Sequence, residues 1–413
     1  SITIASAITN NSTTNALTLN GGGAINVNAA ISLTSGSLIM TAGTYSGSGA
    51  LSAKTLNIAA TGAGGTLAGA ITLGAGGGTI AAASGQTLTA NGIISGSGAL
   101  TVGSATNTGT VVFGNASNAL TGGTTINTGT LSISAAGNLG TAGSNPITLT
   151  NGGTLVSTGT ATITNAITLG TGGGTIAAAS GQTLTVSGII SGANALTVGS
   201  AGNTGAVILS NANTYTGSTT ISAGTLQLNP GGTISSSSSI INNAALVYAN
   251  NIVNTANGVT GSGTIGVNSG STLQLTGALG TTGLVTINSG GVLDLNGQSS
   301  TSSISLAGTG ISSAGALINS SATAATQSGN VALSAATSIG GTGNITISGS
   351  ISGGNALTKV AANTLTLSGA STYTGSTTIS AGTLQLIPGG TISSSSSIIN
   401  NAALVYANNI VNT

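Results

Sequence analysis

The chain is almost without charge. Lys54 and Lys359 are its only basic residues and Asp294 is its only acidic residue among 413 residues. Only 1% of the residues are charged, whereas about 25% are charged in an ordinary soluble domain. A formal net charge of +1 gives no basic surface for nucleic acid or anionic lipid. We therefore expect no nucleic-acid partner, and we expect the three charged side chains to be solvated.

The chain also lacks histidine, cysteine and tryptophan. Zinc sites need Cys or His, and calcium-binding solenoids need a repeated Asp, so we expect no metal ligands. General acid–base catalysis needs His or paired carboxylates, and a serine nucleophile would have only Lys54 or Lys359 as its base. We therefore predict no catalytic residues, no cofactor-binding residues, no cofactor and no enzymatic activity.

Long apolar runs and proline are scarce as well. No window approaches the roughly 18 unbroken apolar residues of a membrane span, so we predict no transmembrane segment. Three prolines and the lack of a Gly-X-Y period exclude collagen. The chain opens at Ser1 without a basic, apolar leader, which predicts a processed form or a fragment.

The residues that are abundant alternate with a period of two. In GTLQL at 224–228, Leu226 and Leu228 point to one side of a strand and the residues between them to the other. Gly224 can adopt the positive φ of a tight corner. Runs of three to five such residues recur between Gly, Asn and Ser turns, while helix periodicity is absent. This pattern is typical of a parallel β-helix with a thin aliphatic core.

We therefore predict an all-β fold, a parallel β-solenoid built from one chain, with roughly three short strands per turn. Solenoid repeat lengths give about 20 to 24 residues per turn and about 17 to 20 turns. Nothing in the sequence marks a domain boundary, so residues 1–413 are expected to form one continuous β-solenoid. The first residues read as a strand, and NNIVNT at 408–413 reads as the start of another, so neither end looks capped.

Internal repeats dominate the chain. Residues 214–255 return as residues 372–413 with one change, Asn229 to Ile387, at an offset of 413 − 255 = 158. Residues 71–133 return as 167–228 at an offset of 167 − 71 = 96, with one residue lost after Asn115. Phe113 is replaced by Leu209 in the copy, which predicts stacked inward positions.

Ten positions recur in the copies and are predicted to be structural. The tyrosines among them are expected to pack inside, with an exposed contact to a partner as the alternative. The ten residues are Tyr215, Tyr373, Gly217, Gly375, Ile221, Ile379, Leu226, Leu384, Leu228 and Leu386.

The segment LTKVAANTLTLSGASTYTGSTTISAGTLQL, residues 357–386, resembles the autotransporter-associated β-strand repeat of bacterial type V passengers. The matching residues are Lys359, Thr364, Leu365, Leu367, Gly369, Tyr373, Gly375, Thr377, Ile379, Gly382, Thr383 and Leu384. Ala361 and Asn363 stand where that pattern usually has glycine. The copy that starts at Leu196 keeps Tyr215 but has Val198 in place of the lysine.

This resemblance implies a right-handed parallel β-helix on, or released from, the surface of a Gram-negative-type bacterium. The C-terminal translocator barrel of such proteins is not found in these residues, so we expect it to follow Thr413 or export to use another route. We predict a structural role, as a stalk or as a filament subunit that assembles end to end or laterally. One alternative is an adhesin passenger that binds a host, surface or sister-cell ligand. A weaker alternative is ice binding, which needs threonines at a regular turn spacing that the sequence does not display.

Overall fold

The computed structural model describes residues 1–10, 15–141 and 143–407. These residues form two compact units, Ser1–Gly217 and Ser218–Thr413. The fold is all-β, with parallel strands stacked as a β-solenoid, and the turns of both units number about 19. The predicted fold class and number of turns are therefore confirmed. The strand expected in residues 408–413 lies outside the described residues.

The first unit contains one 3₁₀ turn, Ala136–Leu139, between its strands along the chain. They are β1 (Ile2–Ile4), β2 (Ile8–Thr9), β3 (Ala16–Val27), β4 (Ile31–Ser46), β5 (Leu51–Leu67), β6 (Ile71–Leu73), β7 (Gly78–Ala82), β8 (Thr87–Ala90), β9 (Ile94–Gly96), β10 (Leu100–Val102), β11 (Thr110–Phe113), β12 (Ala119–Leu120), β13 (Thr124–Asn127), β14 (Thr130–Ile133), β15 (Ile147–Thr150), β16 (Gly153–Ser157), β17 (Ala161–Ile163), β18 (Ile167–Leu169), β19 (Gly174–Ala178), β20 (Thr183–Val186), β21 (Ile190–Ser191), β22 (Leu196–Val198) and β23 (Ala206–Leu209).

The second unit likewise contains one 3₁₀ turn, Ile311–Ser313. Its strands are β24 (Thr219–Ile221), β25 (Thr225–Leu228), β26 (Ile240–Asn242), β27 (Ala245–Tyr248), β28 (Val253–Ala256), β29 (Val259–Gly261), β30 (Thr264–Val267), β31 (Thr272–Leu275), β32 (Leu279–Thr281), β33 (Val285–Ile287), β34 (Val292–Asp294), β35 (Ser299–Ser300), β36 (Ile304–Gly308), β37 (Leu317–Asn319), β38 (Ala325–Gln327), β39 (Val331–Gly341), β40 (Ile345–Ile347), β41 (Ile351–Ser352), β42 (Leu357–Lys359), β43 (Thr364–Leu367), β44 (Thr377–Ile379), β45 (Thr383–Leu386), β46 (Ile398–Asn400) and β47 (Ala403–Tyr406).

Each unit stacks its strands on three faces, and each strand pairs in parallel with strands of the turns before and after it. In the first unit one face is β7–β10–β13–β15–β18–β21. A second is β8–β11–β14–β16–β19–β22. The third contains β6–β9–β12 and β17–β20–β23.

The second unit repeats this plan. Its first face is β24–β26–β29–β32–β35–β38–β40–β43–β45–β47. Its second face is β25–β27–β30–β33–β36–β39–β41. Its third is β28–β31–β34–β37–β39–β42–β44–β46.

The residues that pair across turns give the length of a turn. Thr79, Thr101, Thr125, Thr148 and Thr168 are successive partners, and their numbers differ by at least 168 − 148 = 20 and at most 125 − 101 = 24. In the second unit, Ile345, Leu365, Leu384 and Leu404 are successive partners, and the closest two differ by 384 − 365 = 19. The predicted turn of about 20 to 24 residues is thus confirmed on the first face of the first unit. Other turns are shorter or longer, for example 55 − 37 = 18 residues in the first unit and 331 − 304 = 27 residues in the second.

Four strands are much longer than the predicted three to five residues. The strands β3, β4 and β5 contain 12, 16 and 17 residues, and β39 contains 11. They run through corners that break other strands, and register shifts within them, for example between Gly21 and Ala24, absorb the bend. Such bulges bend a strand while its pairing continues on both sides.

The repeats do not stack on themselves. Thr79 lies on the first face of its unit in β7, whereas its copy Thr175 lies on the second face in β19. Because β10, β13, β15 and β18 follow β7 on its face, the repeat offset corresponds to four turns and about one third of another. The prediction that Phe113 and Leu209 stack in one column is wrong: both are fully buried, but β11 and β23 lie on different faces.

The core is a thin aliphatic column that each turn shares with its neighbours. Leu88 and its copy Leu184 are both fully buried, although they lie on different faces. The inward positions of these two faces are therefore equivalent for an aliphatic side chain. Gly224 forms the predicted corner with φ of 70°.

Candidate functional site

Eight of the ten recurring positions lie inside the solenoid, and the two glycines among them are half-buried. Tyr215 and Tyr373 are each 1% exposed, and the recurring Ile and Leu side chains are fully buried. Gly217 and Gly375 lie against the preceding turn, where a Cβ would stand 2.2 Å from the carbonyl of Asn194 or Asn355. Only glycine permits that approach. None of the ten positions offers a side chain to a partner.

A chain of hydroxyl groups closes the corner beside Tyr373. The Tyr373 hydroxyl and Thr377 Oγ1 are 2.5 Å apart, and Thr377 Oγ1 lies 2.9 Å from Ser395 Oγ. Ser395 in turn donates to the Gly375 carbonyl at 2.9 Å. Burial raises the pKa of Tyr373 to about 12, although its hydrogen bond to Thr377 partly opposes this. The tyrosine therefore remains a neutral packing group near neutral pH.

Lys359 is buried, which contradicts the prediction that it is solvated. It occupies the inward position of β42, where Thr358 points outward, and its side chain is 1% exposed. Its register partners on the turns before and after are Ile339 and Ile379. Strand alternation thus places this lysine in an aliphatic column of the core.

The surrounding backbone satisfies the buried ammonium. Lys359 Nζ donates to the carbonyl oxygens of Val360 at 2.7 Å, Ala361 at 2.8 Å and Ala381 at 3.2 Å. Burial lowers the pKa of Lys359 to about 8, so it stays mainly protonated at pH 7. Ala361 adopts a left-handed φ of 63°, and its carbonyl accepts one of the three bonds. The lysine therefore holds a corner of the turn.

Asp294 is the second buried charge, and the prediction of a solvated side chain is wrong for it too. It is 2% exposed. Its Oδ1 accepts from the backbone N–H of Asn296 at 3.0 Å and of Ser320 at 2.9 Å. Its Oδ2 accepts from Gln274 Nε2 at 2.8 Å and Ser320 Oγ at 2.6 Å. Four donors replace water around the carboxylate, so Asp294 ties three turns together and has no oxygen left for a substrate.

Lys54 alone among the three charged residues is exposed, as predicted. It borders a corner cavity of about 150 Å³ in the first unit. The lining residues are Asn15, Ala16, Ser35, Gly36, Ser37, Lys54 and Thr55. Apart from Ala16 and Gly36, every lining side chain carries a hydrogen-bonding group.

Buried asparagines at the corners were not predicted. Asn118 Oδ1 accepts from the Ile94 N–H at 2.8 Å, and its copy Asn213 accepts from the Ile190 N–H at 2.8 Å. Ser371 occupies the same place in the later copy and is 3% exposed, but its hydroxyl has no hydrogen-bond partner among the described residues. The sequence does carry a signal for this site, because asparagine recurs at the same place in two copies.

Threonines recur at the turn spacing, contrary to expectation. On the first face of the first unit, Thr79, Thr101, Thr125, Thr148 and Thr168 pair in register on five consecutive turns. On the second face, the column is Thr87, Thr110, Thr130, Thr154, Thr175 and Thr197. The regularity was hidden because the turns differ in length by several residues.

Two further features concern metals and membranes. Among the described residues, no group of three or more His, Cys, Asp or Glu side chains lies close enough to hold a metal ion. In the same part of the chain, no helix is long and apolar enough to cross a membrane.

The passenger-associated-transport-repeat family matches residues 104–133, 202–228 and 357–386. These three ranges are similar to the repeats of autotransporter passengers. The third matched range contains Lys359 and Tyr373. At the position that corresponds to Tyr373, the first range has Leu120 and the second has Tyr215. These repeats imply a secreted or surface location. No curated protein and no solved structure gives a significant match to the chain.

Proposed function

We propose that this passenger-like chain is a structural protein of the outer surface of a Gram-negative-type bacterium. It acts as a β-solenoid stalk or as the subunit of a filament, and it has no enzymatic activity. The passenger repeats support the surface location. The two buried charges support a structural role, because the hydrogen bonds of Asp294 and Lys359 go to the protein itself.

The filament proposal is argued from how turns stack in this fold, because each turn buries the apolar residues of the turn before it. Ile240 pairs with Val259, Tyr248 pairs with Val267, and both side chains are 1% exposed. Their copies Ile398 and Tyr406 are 41% and 46% exposed. A turn like the one that covers the first copy would fit over the second. We propose that a second copy of this chain supplies it by end-to-end association.

The outward surface is suited to such assembly. Like charges on neighbouring turns would repel at the strand spacing, and the outward columns consist almost entirely of neutral side chains. We also propose that residues 1–413 form one continuous solenoid. A single rod in electron micrographs is the expected result, and two separately moving bodies would contradict it.

The assembly is tested by electron microscopy of the purified chain at rising concentration, together with the variant Tyr406→Lys. We expect axial polymers for the natural chain and short rods for the variant, because a charge on an open strand edge prevents further pairing. Ile241→Lys is the matched control, since Ile241 is 38% exposed on a covered turn. Dispersed short rods at every concentration would overturn the filament proposal.

The adhesin alternative is favoured by the cavity at Lys54, which offers one ammonium group and several hydroxyls in a chain otherwise without exposed charge. Such a site suits a ligand with an anionic group. A cell- or surface-binding assay with the natural chain and Lys54→Gln tests it. Binding that the substitution abolishes would support an adhesin, and no binding by either chain would exclude the cavity as its site.

A further inference from the structure

The two threonine columns of the first unit form regular ladders of side chains. The first-face column is Thr79, Thr101, Thr125, Thr148 and Thr168, and the second-face column is Thr87, Thr110, Thr130, Thr154, Thr175 and Thr197. Register pairing places one threonine on each successive strand. Parallel strands lie about 4.8 Å apart, so a hydroxyl and a methyl recur at that distance along each column.

The threonine hydroxyls are available to solvent. Thr154 Oγ1 makes one long contact, 3.4 Å, with the Gly152 carbonyl. Within the part of the chain that the structure describes, the hydroxyls of the other ten have no protein partner. All eleven side chains are partly or fully exposed. Because a β-branched side chain has few χ1 rotamers, each hydroxyl and methyl has little freedom, and the ladder is pre-organised.

Among the described residues of the second unit, threonine columns are shorter: Thr326, Thr346 and Thr366 pair in register on its first face, and its second face has no such column. The outward residues of β25, β27, β30, β33 and β36 include Gln227, Val247, Gly266, Thr286 and Ser305, in that order. A regular spacing gives no advantage when each turn presents different chemistry. The uniformity of the first unit is therefore a feature of those two faces and not of the fold as such.

The chemistry of the ladders limits their ligand. Their strands carry no charged side chain and present no exposed aromatic ring on which sugars could stack. An array that repeats at a fixed distance benefits only a ligand that repeats at a similar distance. The methyl groups favour water held in a cage-like lattice beside them, while the hydroxyls join that lattice as donors and acceptors. We propose that the threonine columns of the first unit bind the surface of ice.

Ice-recrystallisation inhibition by the full chain tests this proposal. The natural chain is expected to keep ice grains small, and Thr125→Lys with Thr148→Lys is expected to lose that effect. Both positions lie in the middle of the first-face column, and a long charged side chain there would hold the lattice away. Thr286→Lys in the second unit is the matched control, and it should retain the effect.

The remaining outcomes are decisive as well. Circular dichroism spectra and melting temperatures must agree between the variants, so that loss of folding is not mistaken for loss of binding. The proposal would be overturned if ice grains grow as fast in a solution of the natural chain as in a protein-free control. Equal loss in Thr286→Lys would overturn it too. Co-sedimentation with crystalline cellulose, without any effect on ice, would assign the columns to a neutral polysaccharide instead.

Discussion

Residues 214–249 and 372–407 differ at one position, yet they occupy different environments. In the earlier copy, Ile240 and Tyr248 are 1% exposed, whereas Ile398 and Tyr406 in the later copy are 41% and 46% exposed. Both copies form the same strands, Ile240–Asn242 with Ala245–Tyr248 and Ile398–Asn400 with Ala403–Tyr406. Local sequence therefore decides the strands, and the neighbouring turns decide how much each strand contributes to stability.

The turns that lead into the two copies differ in their chemistry. Val198 and Gly199 form the corner before the earlier copy, and Gly199 has φ of 73°. Lys359 and the left-handed Ala361 form the corresponding corner before the later copy. Asn213 also becomes Ser371. The same architecture thus accommodates two different corner sequences. Substitutions can measure how much each corner contributes to the free energy of unfolding.

The largest expected effect comes from burial. Ile240→Ala should lower the free energy of unfolding by about 2 to 5 kcal/mol because it leaves a cavity. Ile398→Ala should cost about 1 kcal/mol or less, since much of that side chain is already in water. Chemical denaturation of both variants measures the difference. Equal losses would show that both positions are equally covered in solution.

The second prediction concerns pH. The pKa of Lys359 is about 8 in the folded chain, below its ordinary value of 10.5. Between these values the unfolded chain binds more protons, so stability should rise as the pH increases from about 8. The gain is at most about 1.4 kcal/mol per pH unit. Melting temperatures from pH 7 to 9.5 would show the rise in the natural chain and a flatter profile in Lys359→Met.

A flat profile in the natural chain would mean that the three carbonyl bonds to Lys359 Nζ keep its pKa near the ordinary value. Measurements should stop before tyrosine ionises. Burial raises the pKa of Tyr45 and Tyr373, so these residues would add an opposite slope only above about pH 10.

A smaller effect is expected at the corner asparagine. Ser371→Asn should raise stability by about 1 kcal/mol, because the longer side chain can accept from the backbone of the preceding turn as Asn213 does from Ile190. The reciprocal change, Asn213→Ser, should lower stability by a similar amount. Thermal unfolding of the pair checks both signs, and a loss in Ser371→Asn would show that the two corners are not equivalent.

The smallest effect is expected where the chain departs from the glycines that are usual in the passenger repeat. Ala361→Gly should stabilise the chain by about 0.5 kcal/mol, because relief of the left-handed conformation exceeds the added chain entropy of glycine. Asn363→Gly should destabilise it, since Asn363 Nδ2 donates to the carbonyls of Gly340 at 3.3 Å and Gly343 at 2.7 Å. Melting temperatures that move in the same direction would contradict this explanation.

The alternation of apolar and polar residues was enough to predict the solenoid, its turn length and corners such as Gly224. The face on which each copied strand lies could not be predicted. A long repeat returns to the same face only if it contains a whole number of turns. Successive turns differ in length by several residues, which made that number uncertain by a fraction of a turn. The threonine columns were missed for the same reason.

The buried charges were missed for a different reason. Composition suggests that isolated charged side chains are solvated, and Lys54 follows that rule. Lys359, however, stands two residues after the inward Leu357, so strand alternation already placed it in the core. The carbonyls and N–H groups that satisfy Lys359 and Asp294 belong largely to corners, and their positions depend on the three-dimensional stack.

Hydrogen exchange of the two copies tests end-to-end assembly most directly. Peptides that include Asn229 or Ile387 differ in mass, so the otherwise identical strands can be followed separately. We predict that backbone amides of Ala245–Tyr248 are protected at every concentration, whereas those of Ala403–Tyr406 exchange quickly in dilute solution and become protected as the chain assembles. Amides of the later copy that stay unprotected in concentrated samples, or that are fully protected when dilute, would contradict this account.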